Sequence, residues 1–188
     1  MTLYILGNGF DLAHELPTAY WDFRTYLKSA HPEFLEAFEE HYDIYPSMSD
    51  EAKKEYLWNR FESNLAKVDI LKIAKDELLM LFGGSDESAV KAVFSYGVKI
   101  ILVTDGAKGA ALYMENAHIA LPAEKVNTID TTGAGDIFFG TFLSEWINNK
   151  STAYNITPET AGKYLKKAIY VAGKSTEKHG TIAALKEI

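Results

Sequence analysis

The sequence predicts an α/β protein: a partial sheet with flanking helices in its C-terminal part, preceded by a mostly helical segment with one short strand. Three observations carry this reading. The continuous apolar runs VDILKI (68–73) and VKIILVT (98–104) have the length and branched content of buried parallel strands. Helical patterns, KDELLMLFG and ESAVKAVFSYG, lie between them, the second stopping at Gly97. Beyond them, TTGAGD (131–136) is a turn of small residues feeding an apolar helix over 134–148. Strand, helix, strand, turn and helix in that order describe a sheet covered by helices.

Taken in order, Leu3–Leu6 reads as a short apolar strand ending in the turn Gly7-Asn8-Gly9. Three helix patterns follow. TAYWDFRTYLKSA begins at the capping-type Thr18, HPEFLEAFEEHY places Pro32 in a tolerated first-turn position, and SDEAKKEYLWNRFESNLAKV sets Tyr56, Phe61 and Leu65 at helical spacing. After the two apolar strands, GAALYMEN and AHIALP read as a hairpin around Glu115-Asn116. A last helix is expected from Thr157 to about Lys174. By themselves the two apolar strands would leave a sheet edge to be covered. Leu3–Leu6, the front helices or a second copy of the chain are the expected covers, which makes a homo-oligomer one expectation.

Composition narrows the function classes. The chain has 188 residues, 47% of them apolar and 24% charged, as expected of a globular protein. It has no run of membrane-spanning length, and Asn8 and Asp11 interrupt the start, which predicts neither a membrane partner nor a signal peptide. With no cysteine, disulfides and thiolate metal sites are excluded, and a cytoplasmic location is expected. A net charge of −7 argues against nucleic acid as a partner. Charge also divides the chain: residues 1–68 carry a net −6 and both arginines, Arg24 and Arg60, whereas 69–188 carry −1. A boundary near Val68 is expected, giving segments 1–68 and 69–188.

The turn before the helix at 134 is where chemistry is expected. The first amides of a helix lack internal partners, and its dipole adds positive character there. Small residues let a phosphate approach such a backbone closely. Asp136 has two readings on these grounds, as a carboxylate stabilising the helix start or as a reactive group beside a bound anion.

The stretch Asp130-Thr131-Thr132-Gly133-Ala134-Gly135-Asp136-Ile137-Phe138-Phe139-Gly140 resembles the signature of the PfkB (ribokinase-like) carbohydrate kinases. The resemblance implies that Asp136 is the general base for a sugar hydroxyl. It also implies that the amides of Gly133, Ala134, Gly135 and Asp136 form an anion hole for the transferring phosphoryl group. Thr141 stands where that family commonly has a small residue. The similarity extends over about 68–188. VDILKIAKDEL resembles the family's Asn-x-x-Glu region, implying a role for Glu77 at Mg2+, although Ala74 replaces the polar residue; a solvated helix position is the other reading of Glu77. VTDGAKGA resembles the nucleotide loop, with Thr104, Gly106 and Gly109 at phosphate-contact positions, and STEKHGTIAAL matches a segment flanking adenine, with Gly180 in it. The implied fold is a partial ribokinase-like sheet, and the implied cofactors are ATP and Mg2+. ILKI leans toward the fructokinase branch.

The front is different. No glycine-rich sugar motif occurs in 1–68; instead ILGNGFDLAHELPTAYWDF and LWNRFESNLAKVD resemble the AbiH family of phage abortive-infection proteins. Gly7, Asn8 and Gly9 fit either a phosphate cradle or a plain strand-to-helix turn. His14, His31 and His41 are too scattered for a metal site, and Trp21, Tyr26, Trp58 and Phe61 read as core. Two functions are therefore expected in competition. One is an ATP-dependent sugar kinase of fructokinase type, or a remnant of one lacking the sugar half. The other is a non-catalytic nucleotide-binding or phage-defence module that uses the kinase part as scaffold.

Overall fold

The computed structural model describes residues 3–5, 25, 28–41, 47–83 and 86–179. The chain divides into two compact units, one formed by Met1–Gly7 with Lys67–Ile188 and the other by Asn8–Ala66. The expected helix over 18–30 lies mostly outside the described residues, as do Gly7, Asn8, Gly9, His14 and Gly180.

In the smaller unit, helices α1 (Pro32–His41) and α2 (Asp50–Leu65) form where the sequence places them. Ser49 caps α2 by accepting from the Ala52 amide at 3.1 Å. A buried ion pair links the two helices, with Lys53 Nζ donating to Glu39 Oε2 at 2.7 Å.

The larger unit is built on a five-stranded sheet in sequence order: β1 (Leu3–Ile5), β2 (Ile70–Ala74), β3 (Ile100–Thr104), β4 (Ala110–Met114) and β5 (Ala117–Leu121). β1, β2 and β3 run parallel, with Leu3 opposite Ile70 and Ile70 opposite Ile100. β3, β4 and β5 are antiparallel, and the β4–β5 hairpin turns at Glu115-Asn116 as expected. Helices α3 (Lys75–Phe82) and α4 (Asp86–Ser95) make the crossover between β2 and β3. A 3-10 turn, Gly106–Lys108, follows β3. The edge of β2 that faces away from β3 is thus paired by the chain's own first strand, the first of the covers expected for it.

Strand parity decides which side chains meet which helices. Ile70, Ile100, Leu102 and Leu112 face α5 (Ala134–Asn148) and α6 (Pro158–Ser175), where Phe138, Phe139, Phe142 and Trp146 of α5 and Tyr164 and Leu165 of α6 complete one core. Phe142 meets Tyr164 edge-on at 6.0 Å, and the Tyr164 hydroxyl lies 2.9 Å from Ser151 Oγ, so the buried ring keeps a polar partner. Each fully buried ring contributes about 1.5–3 kcal/mol. α6 starts as its sequence dictates, with Thr157 accepting from the Thr160 amide at 3.2 Å and Pro158 in the first turn. The α5–α6 layer therefore fixes where the N-terminus of α5 sits above the sheet.

Candidate functional site

The turn before α5 is a compact piece of hydrogen-bonded backbone. Asp130 Oδ1 accepts from the Thr132 amide at 2.9 Å, and Thr131 O accepts from Ala134 N at 3.1 Å. Gly133 has φ +73°, a left-handed conformation that glycine adopts without a Cβ penalty. Its carbonyl accepts from Asp136 N at 3.0 Å and from Ile137 N at 2.9 Å. Among the described residues, the amides of Gly133 and Gly135 donate to no protein acceptor. The carboxylate-bearing residue at this start, Asp136, is exposed. An acidic side chain, two open N–H groups and a helix dipole thus share one exposed end.

The loop leading into the turn is held by the end of α6. Thr176 O accepts from both Ile129 N (2.7 Å) and Asp130 N (3.0 Å), and Asn127 N donates to Glu177 Oε1 at 3.3 Å. Lys174 Nζ donates to the other oxygen of Glu177 at 2.9 Å. These two partners, Lys174 first and the Asn127 amide second, hold the Glu177 carboxyl below its usual range.

From below, β2 contributes a residue that the sequence reading passed over. Lys72 stands between Leu71 and Ile73, both fully buried, and is itself only 7% exposed. Parity directs it to the α5 side, and its Nζ lies 3.1 Å from where a β-carbon on Gly135 would stand. A lysine inside a continuous apolar strand was the available signal, because lysine is seldom fully buried without a reason.

The other sequence candidates are distributed around this end of the sheet. Thr104 is the half-buried last residue of β3. Gly106 is exposed with φ +51°, and Gly109 is buried with φ +110°. The Asp105–Gly109 loop is closed on itself, Asp105 N donating to Gly109 O at 2.8 Å and Gly109 N to Gly106 O at 3.1 Å. A β-carbon on Gly109 would collide with Leu121 O, so packing at the end of β5 already demands glycine there.

Glu77 is buried rather than solvated, because its Oε2 accepts from the Ala74 amide at 3.0 Å and closes the start of α3. For Mg2+ the donor set does not make a protein-held site. Ala74 offers no side-chain donor, Glu77 is engaged by the backbone, and no group of three or more His, Cys, Asp or Glu among the described residues could hold a metal. A divalent ion would come to this site on nucleotide phosphates, the usual situation of Mg2+.

On the opposite face of the sheet a cavity of about 390 Å³ is lined by Lys75, Asp86, Asp105, Lys108, Tyr113 and His118, among others, and includes neither Asp136 nor the glycine turn. Its charges are mutually paired: Lys75 lies 2.8 Å from Asp86, and Asp105 lies 3.8 Å from Lys75 and 3.5 Å from Lys108. Burial pushes the Tyr113 hydroxyl up, and its ring stacks on His118 at 4.3 Å.

The family model for bacteriophage abortive infection AbiH matches residues 3–122. The chain belongs to the AbiH family. The match runs well past the front segment that carries the resemblance in the sequence, because it spans every strand of the sheet, from Leu3 of β1 to Leu121 of β5. The glycine turn and α5 lie beyond it.

That remaining part, with much of the sheet, is PfkB-like. The chain is 35% identical over 121 residues to fructokinase-2 of Oryza sativa subsp. japonica, covering 63% of this AbiH-family chain and 35% of the rice protein. It is 30% identical over 147 residues to fructokinase-2 of Solanum habrochaites, covering 76% and 42%. Among solved structures, fructokinase from Vibrio cholerae O395, crystallised with fructose, ADP and a calcium ion, superposes with a TM-score of 0.63 at 26% identity, over 76% of this chain and 44% of that one. The chain thus spans well under half the length of each of these relatives. No helix among the described residues is long and apolar enough to cross a membrane.

Proposed function

We propose that the larger unit binds ATP at the N-terminus of α5 and transfers its terminal phosphoryl group to a sugar hydroxyl, with Asp136 as general base. The observation that carries this reading is the start of α5, where left-handed Gly133 leaves its own amide and that of Gly135 open beside an exposed carboxylate. Phosphoryl transfer asks mainly for positioning and for stabilisation of charge on the equatorial oxygens, which open amides and a helix dipole supply. Asp136 would accept the hydroxyl proton as the oxygen attacks. Thr104 and Gly106, at the C-terminal end of β3, would line the nucleotide's path, since ligands of open α/β sheets gather outside those strand ends. Gly180 keeps the role that the sequence resemblance implies, the turn Gly7-Asn8-Gly9 keeps its two readings as a phosphate cradle or a plain strand-to-helix turn, and the kinase-like part is taken to begin near Val68. Fructose bound to the Vibrio cholerae relative makes a ketohexose the first substrate to try.

The test is ATP turnover by the full chain with and without fructose and related sugars, alongside Asp136→Asn. The amide keeps the shape of the helix start but cannot take the proton, a role worth about 10²–10⁴ in rate. Equal turnover by the two proteins would remove Asp136 from the mechanism.

A second reading is favoured by one observation, that the AbiH match covers the entire sheet while the chain spans under half of the fructokinases. In it the unit binds nucleotide without sugar turnover, as part of a phage-defence protein. Nucleotide binding that is unaffected by any sugar, with no sugar-dependent turnover, distinguishes it from the kinase.

A further inference from the structure

We infer that the cavity on the face of the sheet away from α5 binds a free amino acid with an apolar side chain, held as its zwitterion. The inference stands apart from the phosphoryl site, because Val103 and Asp105 line the cavity whereas Thr104 and Gly106 do not. Strand register builds the site. Val103 pairs with Ala111 and Ala111 with Ala120, so one row across β3, β4 and β5 lays a low floor of small side chains. Two residues further along β4, Tyr113 pairs with His118. Their parallel rings, 4.3 Å apart, stand beside that floor as an aromatic wall.

The rest of the lining is charged, and the order of its charges is informative. Asp86, Lys75, Asp105 and Lys108 form a row of alternating sign, with 2.8, 3.8 and 3.5 Å between neighbours. The four charges sum to zero, so the row favours neither an anion nor a cation. What it complements is a ligand that carries one charge of each sign close together, as an amino acid does. Two members of the row have capacity to spare. Both lysines stand 3.5 Å or more from Asp105, longer than an ordinary N–H···O bond, so its carboxylate keeps lone pairs for an ammonium group. Lys108, whose side chain is 81% exposed, can turn onto the ligand's carboxylate. The ligand's side chain then lies on the alanine floor against the aromatic wall, covering apolar surface that the sheet shows to water. A volume of about 390 Å³ is at the small end of ligand cavities, suited to one amino acid.

The experiment follows binding of L-phenylalanine to the full chain by titration calorimetry and ligand-detected NMR, without nucleotide and at matched ionic strength. L-Phenylalaninamide lacks the carboxylate and N-acetyl-L-phenylalanine lacks the ammonium group, so each keeps the ring and one of the two charges. Phenylalanine is expected to bind, and each derivative about 10- to 100-fold more weakly, the loss for a hydrogen bond to a charged group. Asp105→Asn keeps the shape of the side chain without its charge and should weaken phenylalanine by about the same factor. Ala120→Leu, at an exposed position on β5, raises the floor and should abolish binding with the fold intact. Lys163→Met, whose lysine pairs with Glu159 on α6, is the charge control and should bind as the parent does. Either derivative binding as tightly as phenylalanine would overturn the zwitterion. Unchanged affinity in Asp105→Asn or in Ala120→Leu would overturn the site, and the derivatives secure the test if a variant fails to fold. No binding of phenylalanine to the parent would overturn the inference while leaving the phosphoryl-transfer reading standing.

Discussion

Gly109→Ala separates the structural from the ligand-binding reasons for glycine in the loop after β3. Gly109 has φ +110°, and an added β-carbon would strike Leu121 O while lying 2.7 Å from Ala123 N and 2.8 Å from Pro122 C. All three are backbone atoms at the end of β5, so no side chain can swing aside. Holding alanine at such a φ costs about 1–3 kcal/mol. Spreading the start of β4 from the end of β5 adds about 1–3 kcal/mol, the usual penalty of overpacking. The stiffer unfolded chain returns about 0.4–1 kcal/mol. The net loss is roughly 1–6 kcal/mol, a large share of the stability of an ordinary domain. Gly106→Ala is the internal comparison: at φ +51° with no atom within 4 Å of the added carbon, it should cost only about 1 kcal/mol. Urea unfolding followed by circular dichroism measures both. If the two variants lose stability equally within about 0.5 kcal/mol, the backbone collision does not govern Gly109 and the reasoning fails. With stability accounted for, only Gly106→Ala reports cleanly on nucleotide affinity.

The short strand β1 is expected to protect the edge of β2. Tyr4→Pro removes a backbone donor from a paired strand, and should give concentration-dependent light scattering where the parent gives none; an unchanged scattering profile would show that β1 has no such role. The staple between α6 and the loop before the glycine turn should depend on pH. The Glu177 carboxyl is held below its usual range by Lys174 and then by the Asn127 amide. Its stabilisation is therefore fully present above the ordinary glutamate value of about 4.3 and disappears as pH falls through the depressed folded value. Amide exchange of Ile129 and Asp130 should accelerate in that acid range in the parent, while Glu177→Gln should show no such step.

Much of this fold was readable from local pattern. The runs at 68–73 and 98–104 are β-rich and mostly apolar because both faces of β2 and β3 are covered, and that character marks them as parallel neighbours. The start of α5 was readable for a different reason. A left-handed residue followed by a helix with close backbone access calls for glycine and small residues, so Gly133-Ala134-Gly135 displays its geometry in its composition. Glu77 shows what pattern leaves out. Its place in the polar first turn of α3 suggests solvent, yet a carboxylate three residues after the strand end can turn back onto the Ala74 amide, and Glu77 is buried.

Lys72 marks the boundary between what pattern carries and what packing carries. Within its own strand it is only an irregularity, one charge in ILKIA, and nothing local names its partner. Its meaning depends on the α5–α6 layer, where Phe138, Phe139 and Phe142 pack beside Ile70, Ile100 and Leu102 and bring the start of α5 down over the same face of β2. The hydrophobic core thus sets the position of the polar site: the aromatic residues of α5 determine how closely Gly135 approaches the ammonium. Substitutions that thin this core would then act at the site as well as on stability, by moving the open amides away from the only charge that β2 offers them.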